Sequence, residues 1–150
     1  MKRGFSMVNI MGIINKIRHI NLQKAGICSV IIGVIGIFVH ILLICQIIPY
    51  TWLNGGRSLS FDAAKSTSSS SIIIIAVDIL ITLAASQLIP VRFSRFFGKV
   101  LTVFLVVMLP LSFMGIILQL FGSPFEKCIM SLVTLVGFCA DVRIAVEKRW

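Results

Sequence analysis

A chain of 150 residues that is 58% hydrophobic and 13% charged, with a mean hydropathy of +1.06, lies far outside the range of water-soluble domains and has room for one membrane domain. The formal charge of +9 does not point to a nucleic-acid partner, because the basic residues sit between long apolar runs with no zinc-finger spacing and no aromatic RNA-binding motif. Cys28, Cys45, Cys128 and Cys139 form no CxxC pair, so neither a thioredoxin-like redox motif nor a metal centre is expected, and no cofactor is implied.

Residues 1–25 are basic and interrupted by Asn9, Gly12, Asn15 and Lys16, unlike the compact apolar core of a signal peptide. Met7, Ile10, Ile14 and Ile17 recur at helical spacing opposite Gly12, Lys16, His19 and Gln23, which predicts an amphipathic helix lying on an anionic membrane surface. The alternative is a partly disordered basic tail.

The first span is expected at about 26–48, which holds no charged residue. Gly26, Ser29, Gly33, Gly36 and His40 follow a three-and-four alternation, so small residues and one imidazole share a stripe suited to close helix packing. Tyr50 and Trp52 follow at headgroup level. Residues 49–71 read as an outer loop, with a turn at Asn54-Gly55-Gly56, a short surface helix capped by Ser60, and a serine run ending in a cap at Ser71.

The second span, about 72–90, carries Asp78 among isoleucines, and an acid in hydrocarbon costs several kcal/mol unless it finds a partner, water or a proton. Arg92, Arg95 and Lys99, interleaved with phenylalanines, read as a headgroup-anchored turn. The third span, about 100–121, contains Pro110, which removes one backbone hydrogen bond. GSPFEK reads as a short turn, and the fourth span, about 128–147, is the least apolar, with Arg143 and Lys148 snorkelling and Trp150 anchoring its end. The expected fold is therefore all-α: a single four-span membrane domain with an N-terminal interfacial helix.

Of the 14 Lys and Arg residues, only Arg57, Lys65 and Lys127 fall outside the terminal segments and the middle loop, so both termini are expected in the cytoplasm. Counting helical rise from outer boundaries at Ile48, Ser71, Phe121 and Cys128 puts His40, Asp78, Ser112 and Thr134 about 9–13 Å deep, a single polar layer fed by all four spans. Thr82 shares the face of Asp78, Gln119 that of Ser112, and Asp141 that of Thr134. Asp141 is expected near the inner boundary, hydrated or paired with Arg143, Lys24 or Arg92. Cys45 and Cys128 both fall near the outer surface, where they act as small hydrophobes or, alternatively, form a disulfide joining the first and fourth spans.

No nucleophile elbow, zinc-protease motif, phosphate loop or dinucleotide fingerprint is present, so an enzyme is not expected. Two functions fit: an accessory, regulatory or immunity-type component acting through helix and loop contacts with a membrane partner, or an oligomeric proton- or cation-coupled transporter or channel using Asp78 and His40.

Overall fold

The computed structural model describes residues 7–149. The side chains of Met7, Asn9 and Ile10, and the expected anchor Trp150, fall outside what is described. The class is all-α: α1 (Met7–Arg18), α2 (Leu22–Ile44), α3 (Phe61–Ala85), α4 (Arg95–Leu120) and α5 (Ser131–Ala145), the last entered through a π-helical turn at Glu126–Met130. Four helices, Leu22–Ile44, Phe61–Ala85, Arg95–Leu120 and Glu126–Ala145, are long and apolar enough to cross a membrane.

Every expected span boundary shifts, and each shift has a local cause. Asn21 caps α2 by accepting the Lys24 N–H at 3.0 Å, so the helix starts before Gly26. At its far end Gln46 takes a left-handed φ of 59°, and the Ile47 N–H returns to the Leu42 carbonyl at 2.9 Å. The same device ends α3, where Gln87 has φ 59° and the Leu88 N–H bonds the Leu83 carbonyl at 3.1 Å. Both are Schellman-type stops, and in both a proline follows three residues later, Pro49 and Pro90. Because glutamine holds a conformation that suits glycine, Gln46→Gly and Gln87→Gly are each expected to raise stability by about 0.5–1 kcal/mol, read as the midpoint of detergent unfolding. A lower midpoint in both would contradict the left-handed stops.

The largest correction concerns the serine run, expected as loop and found inside α3. Ser60 caps the helix through the Ala63 N–H at 3.3 Å, and the helix then runs unbroken to Ala85. Thr67, Ser69, Ser70 and Ser71 donate their hydroxyls to the carbonyls four residues back at 2.9–3.2 Å, which satisfies them within the helix. Ser68 is 0% exposed and turns into the bundle, while Ser66, Thr67, Ser69 and Ser70 around it are exposed.

α2 is the central helix, packing closely on α3 and on α5, while α5 packs on α4. Among the described residues α3 and α4 form no comparable seam, although nine residues join them. Gly33 faces Ile75 and Ile79, Gly36 faces Ile75, and Gly26 presses on Ser86, so the stripe of small residues does carry the α2–α3 approach.

Two apolar plugs close the bundle. Val39, Leu43, Leu53, Ala64 and Met130 fill the loop end, the end that carries residues 45–60 and the α4–α5 turn. Ala25, Ala85, Ala140 and Ile144 fill the opposite, terminal end. Arginines staple the terminal end: Arg18 Nε donates to the Val146 carbonyl at 2.7 Å, and Arg149 Nη2 to the carbonyl of Ala85 at 3.2 Å. Arg143, expected to snorkel, is instead 4% exposed and bonds the Arg18 and Ile20 carbonyls at the end of α1. Burial lowers the pKa of Arg149 from its ordinary value, with Glu147 opposing that shift. All four cysteines are free, so no bridge joins Cys45 to Cys128.

Candidate functional site

Between the two plugs lies a cavity of about 310 Å³ lined from all four spanning helices. His40, Asp78, Ser112 and Thr134, the four residues expected at the polar level, all line it, as do Gln119 and Asp141. Ser29, Gly33 and Gly36 line its α2 wall, whereas Gly26 lies outside it against Ser86. Thr82 is buried in a neighbouring narrow cleft that it shares with Asp78, Ser112 and Asp141.

The polar groups do not form a single layer. Gly33 against Ile79, and Gly36 against Ile75, place Asp78 level with Gly33, so His40 stands about 10 Å nearer the loop end. On the other side Ser29 Oγ donates to Asp141 Oδ1 at 2.7 Å, and Gly137 faces Ile32, which sets Thr134 level with Gly36. Thr134 Oγ1 meets Gln119 Oε1 at 2.7 Å, placing Ser112 near the level of Asp141. From Ser29 to His40 the rise is about 16 Å, so the site is a column with its carboxylates toward the terminal end and its imidazole toward the loop end. The expected layer fails on two helices: Ser112, level with Asp141 and Ser29, falls about 16 Å from His40, and the α3 boundary does not stand at Ser71. Ala64 lies in the loop-end plug beside Leu43, which moves that boundary by seven residues, or about 10 Å.

Electrostatically the column is acidic. Asp78 and Asp141 face it, no Lys or Arg lines it, and among the described residues the only ion pair is Arg143–Glu147, at 2.7 Å. Asp141 therefore takes none of the basic partners expected for it and is held by Ser29 instead. Asp78 is exposed, as is Ser112 across from it, because both stand where α3 and α4 part. His40 Nδ1 is shut off from solvent and has no hydrogen-bond partner. Such a column can hold a proton or a cation among fixed acceptors. Among the described residues no group of three or more His, Cys, Asp or Glu is placed to hold a metal ion.

A second constellation lies at the loop end, where the GSPFEK turn expected from the sequence is a helix start. Ser123-Pro124-Phe125-Glu126 is a capping box: the Glu126 N–H donates to Ser123 Oγ at 3.3 Å, and Glu126 Oε2 accepts the Ser123 N–H at 3.0 Å. The same carboxylate accepts the Gly55 N–H at 3.0 Å, Ser123 Oγ donates to the Trp52 carbonyl, and Trp52 stacks on Phe125 with centroids 5.2 Å apart. The turn at residues 52–56 is thereby clamped onto the start of the fourth span. Gly55 and Gly56, at φ 74° and 66°, supply the backbone shape the clamp requires. Compared with protein-family models, with curated proteins and with solved structures, the chain finds no match.

Proposed function

We propose that this is a non-enzymatic integral membrane protein that holds a proton or a small cation inside its bundle, as the coupling site of a small transporter or channel working as an oligomer. One observation carries the reading: two carboxylates, an imidazole and several neutral acceptors from four helices converge on one cavity without a basic counter-charge. Ionisable groups are costly inside a membrane, and their placement around a cavity is the usual mark of an ion or proton pathway. A volume of about 310 Å³ supplies room that a narrow four-helix bundle would otherwise lack. The basic residues of the terminal segments and of the α3–α4 connection favour a cytoplasmic location for both termini.

The decisive measurement is proton or cation flux in vesicles reconstituted with the purified protein. Asp78→Asn is expected to abolish flux while leaving detergent unfolding within experimental error of the wild type. Equal flux in that variant would remove Asp78 from the pathway.

A second reading, an accessory, regulatory or immunity-type component, is favoured by a different feature. The unsealed α3–α4 side presents Asp78 between exposed Ile74, Val77 and Leu80, which a partner helix would cover. A defined heteromer recovered from native membranes, without intrinsic flux, selects that reading.

A further inference from the structure

The shape of the cavity narrows what kind of cation it takes. An apolar cluster packs toward each of its ends, which disfavours an axial route for a charged ligand along the bundle. The side between α3 and α4 lacks a packed seam, and the exposed Asp78 and Ser112 stand on its two edges. Access is lateral, from the hydrocarbon, which selects against strongly hydrated ions.

The walls point the same way. Ile32, Ile75, Ile116, Val133 and Phe138 line the cavity together with the polar column, and Phe138 supplies the aromatic ring of that lining. A hard inorganic cation needs a shell of six or more oxygens, whereas an alkyl- or arylammonium needs one or two carboxylates, apolar walls and a ring.

We infer that the cavity binds an amphiphilic organic ammonium ion, admitted sideways between α3 and α4 and held by Asp78 and Asp141 with Phe138 as its aromatic wall. This inference rests on the reading of the cavity as a cation site.

The test is equilibrium binding to the full-length protein in nanodiscs, with phenyltrimethylammonium as the probe, its neutral isostere tert-butylbenzene as the control, and sodium and potassium as competitors. The ammonium is expected to bind saturably at one site, at least tenfold more tightly than the isostere, and to resist displacement by either metal ion. Asp78→Asn should weaken it at least tenfold. Should that variant fail to fold, Gly115→Leu keeps the test open: Gly115 lines the cavity, and an added Cβ there meets nothing within 4 Å, so an apolar side chain has room to occupy the space. Binding should disappear in Gly115→Leu while the unfolding midpoint holds.

Equal affinity for the isostere overturns the inference, leaving only an apolar groove. Sodium or potassium binding that depends on Asp78, with no binding of the ammonium, keeps the cation site and overturns the organic ligand. Absence of any cation binding overturns both.

Discussion

Glu126→Ala is expected to lower stability by about 3–5 kcal/mol, the largest effect of any single substitution outside the apolar plugs. Glu126 is 6% exposed and its carboxylate accepts the backbone N–H groups of Gly55 and Ser123, so its removal strands one buried and one part-buried donor and deletes one half of a capping box. Bonds to a charged acceptor contribute about 1.5–3 kcal/mol each, and the loss of packing adds to that. Glu126→Gln keeps one acceptor oxygen but turns an amide toward the same donors, so about half of the loss should remain. Two measurements check this: the midpoint of unfolding in a denaturing detergent, and limited trypsin cleavage at Arg57, which is exposed and lies directly beyond the clamped turn. Rapid cleavage at Arg57 is expected in the alanine variant. A midpoint and a cleavage rate equal to wild type would show that the clamp does not hold the turn.

The clamp also bears on the cavity. Glu126 fixes the turn that carries Leu53, and Leu53 belongs to the plug above His40 together with Leu43 and Met130. Releasing the turn would thin that plug and open an axial route at the loop end. In Glu126→Ala, the column should therefore become accessible from the loop end as well as from the side.

Residues whose role depends on neighbours four apart were legible in the sequence. Those whose role depends on register were not. Charge-free runs revealed four spans, and helical spacing put Ser112, Gly115 and Gln119 on one face, all of which line the cavity. Hydropathy could not see the helix stops, because Gln46-Ile47-Ile48-Pro49 and Gln87-Leu88-Ile89-Pro90 are mainly apolar while their backbone has already left the helix. The repetition of that pattern was the available signal. Serine's weak helix propensity misdirected the reading of 66–71, since propensity ignores hydroxyls that bond back to the chain inside an apolar setting. That boundary displaces Asp78 by about 10 Å relative to His40, and the α4–α5 register displaces Ser112 separately, so the apparent layer is a column. The capping box at Ser123 was readable by its spacing, but its bond to Gly55 joins residues 71 apart and could come only from the fold.

At the terminal end, Arg143→Ala is expected to cost about 3–4 kcal/mol. Its guanidinium is spread over three acceptors: Nε to the Ile20 carbonyl at 2.7 Å, Nη2 to the Arg18 carbonyl at 3.0 Å and Nη1 to Glu147 Oε2 at 2.7 Å. Two of these are carbonyls at the C-terminal end of α1, one on its last residue and one two residues beyond, where a cation also meets the negative end of the helix dipole. Truncation leaves them without donors and removes the main tie between α1 and the bundle. Arg143→Lys should recover less than half, because a single ammonium cannot reach three acceptors set out along a planar fork. Glu147→Gln should cost under about 1 kcal/mol, since its pair with Arg143 is of the i,i+4 kind and Glu147 is only half-buried. The diagnostic readout is trypsin cleavage after Lys16 and Arg18. In Arg143→Ala, α1 should come free and be cut rapidly, while the four spanning helices stay resistant. Protection of α1 equal to wild type, with an unchanged unfolding midpoint, would mean that α1 is held by something other than this arginine.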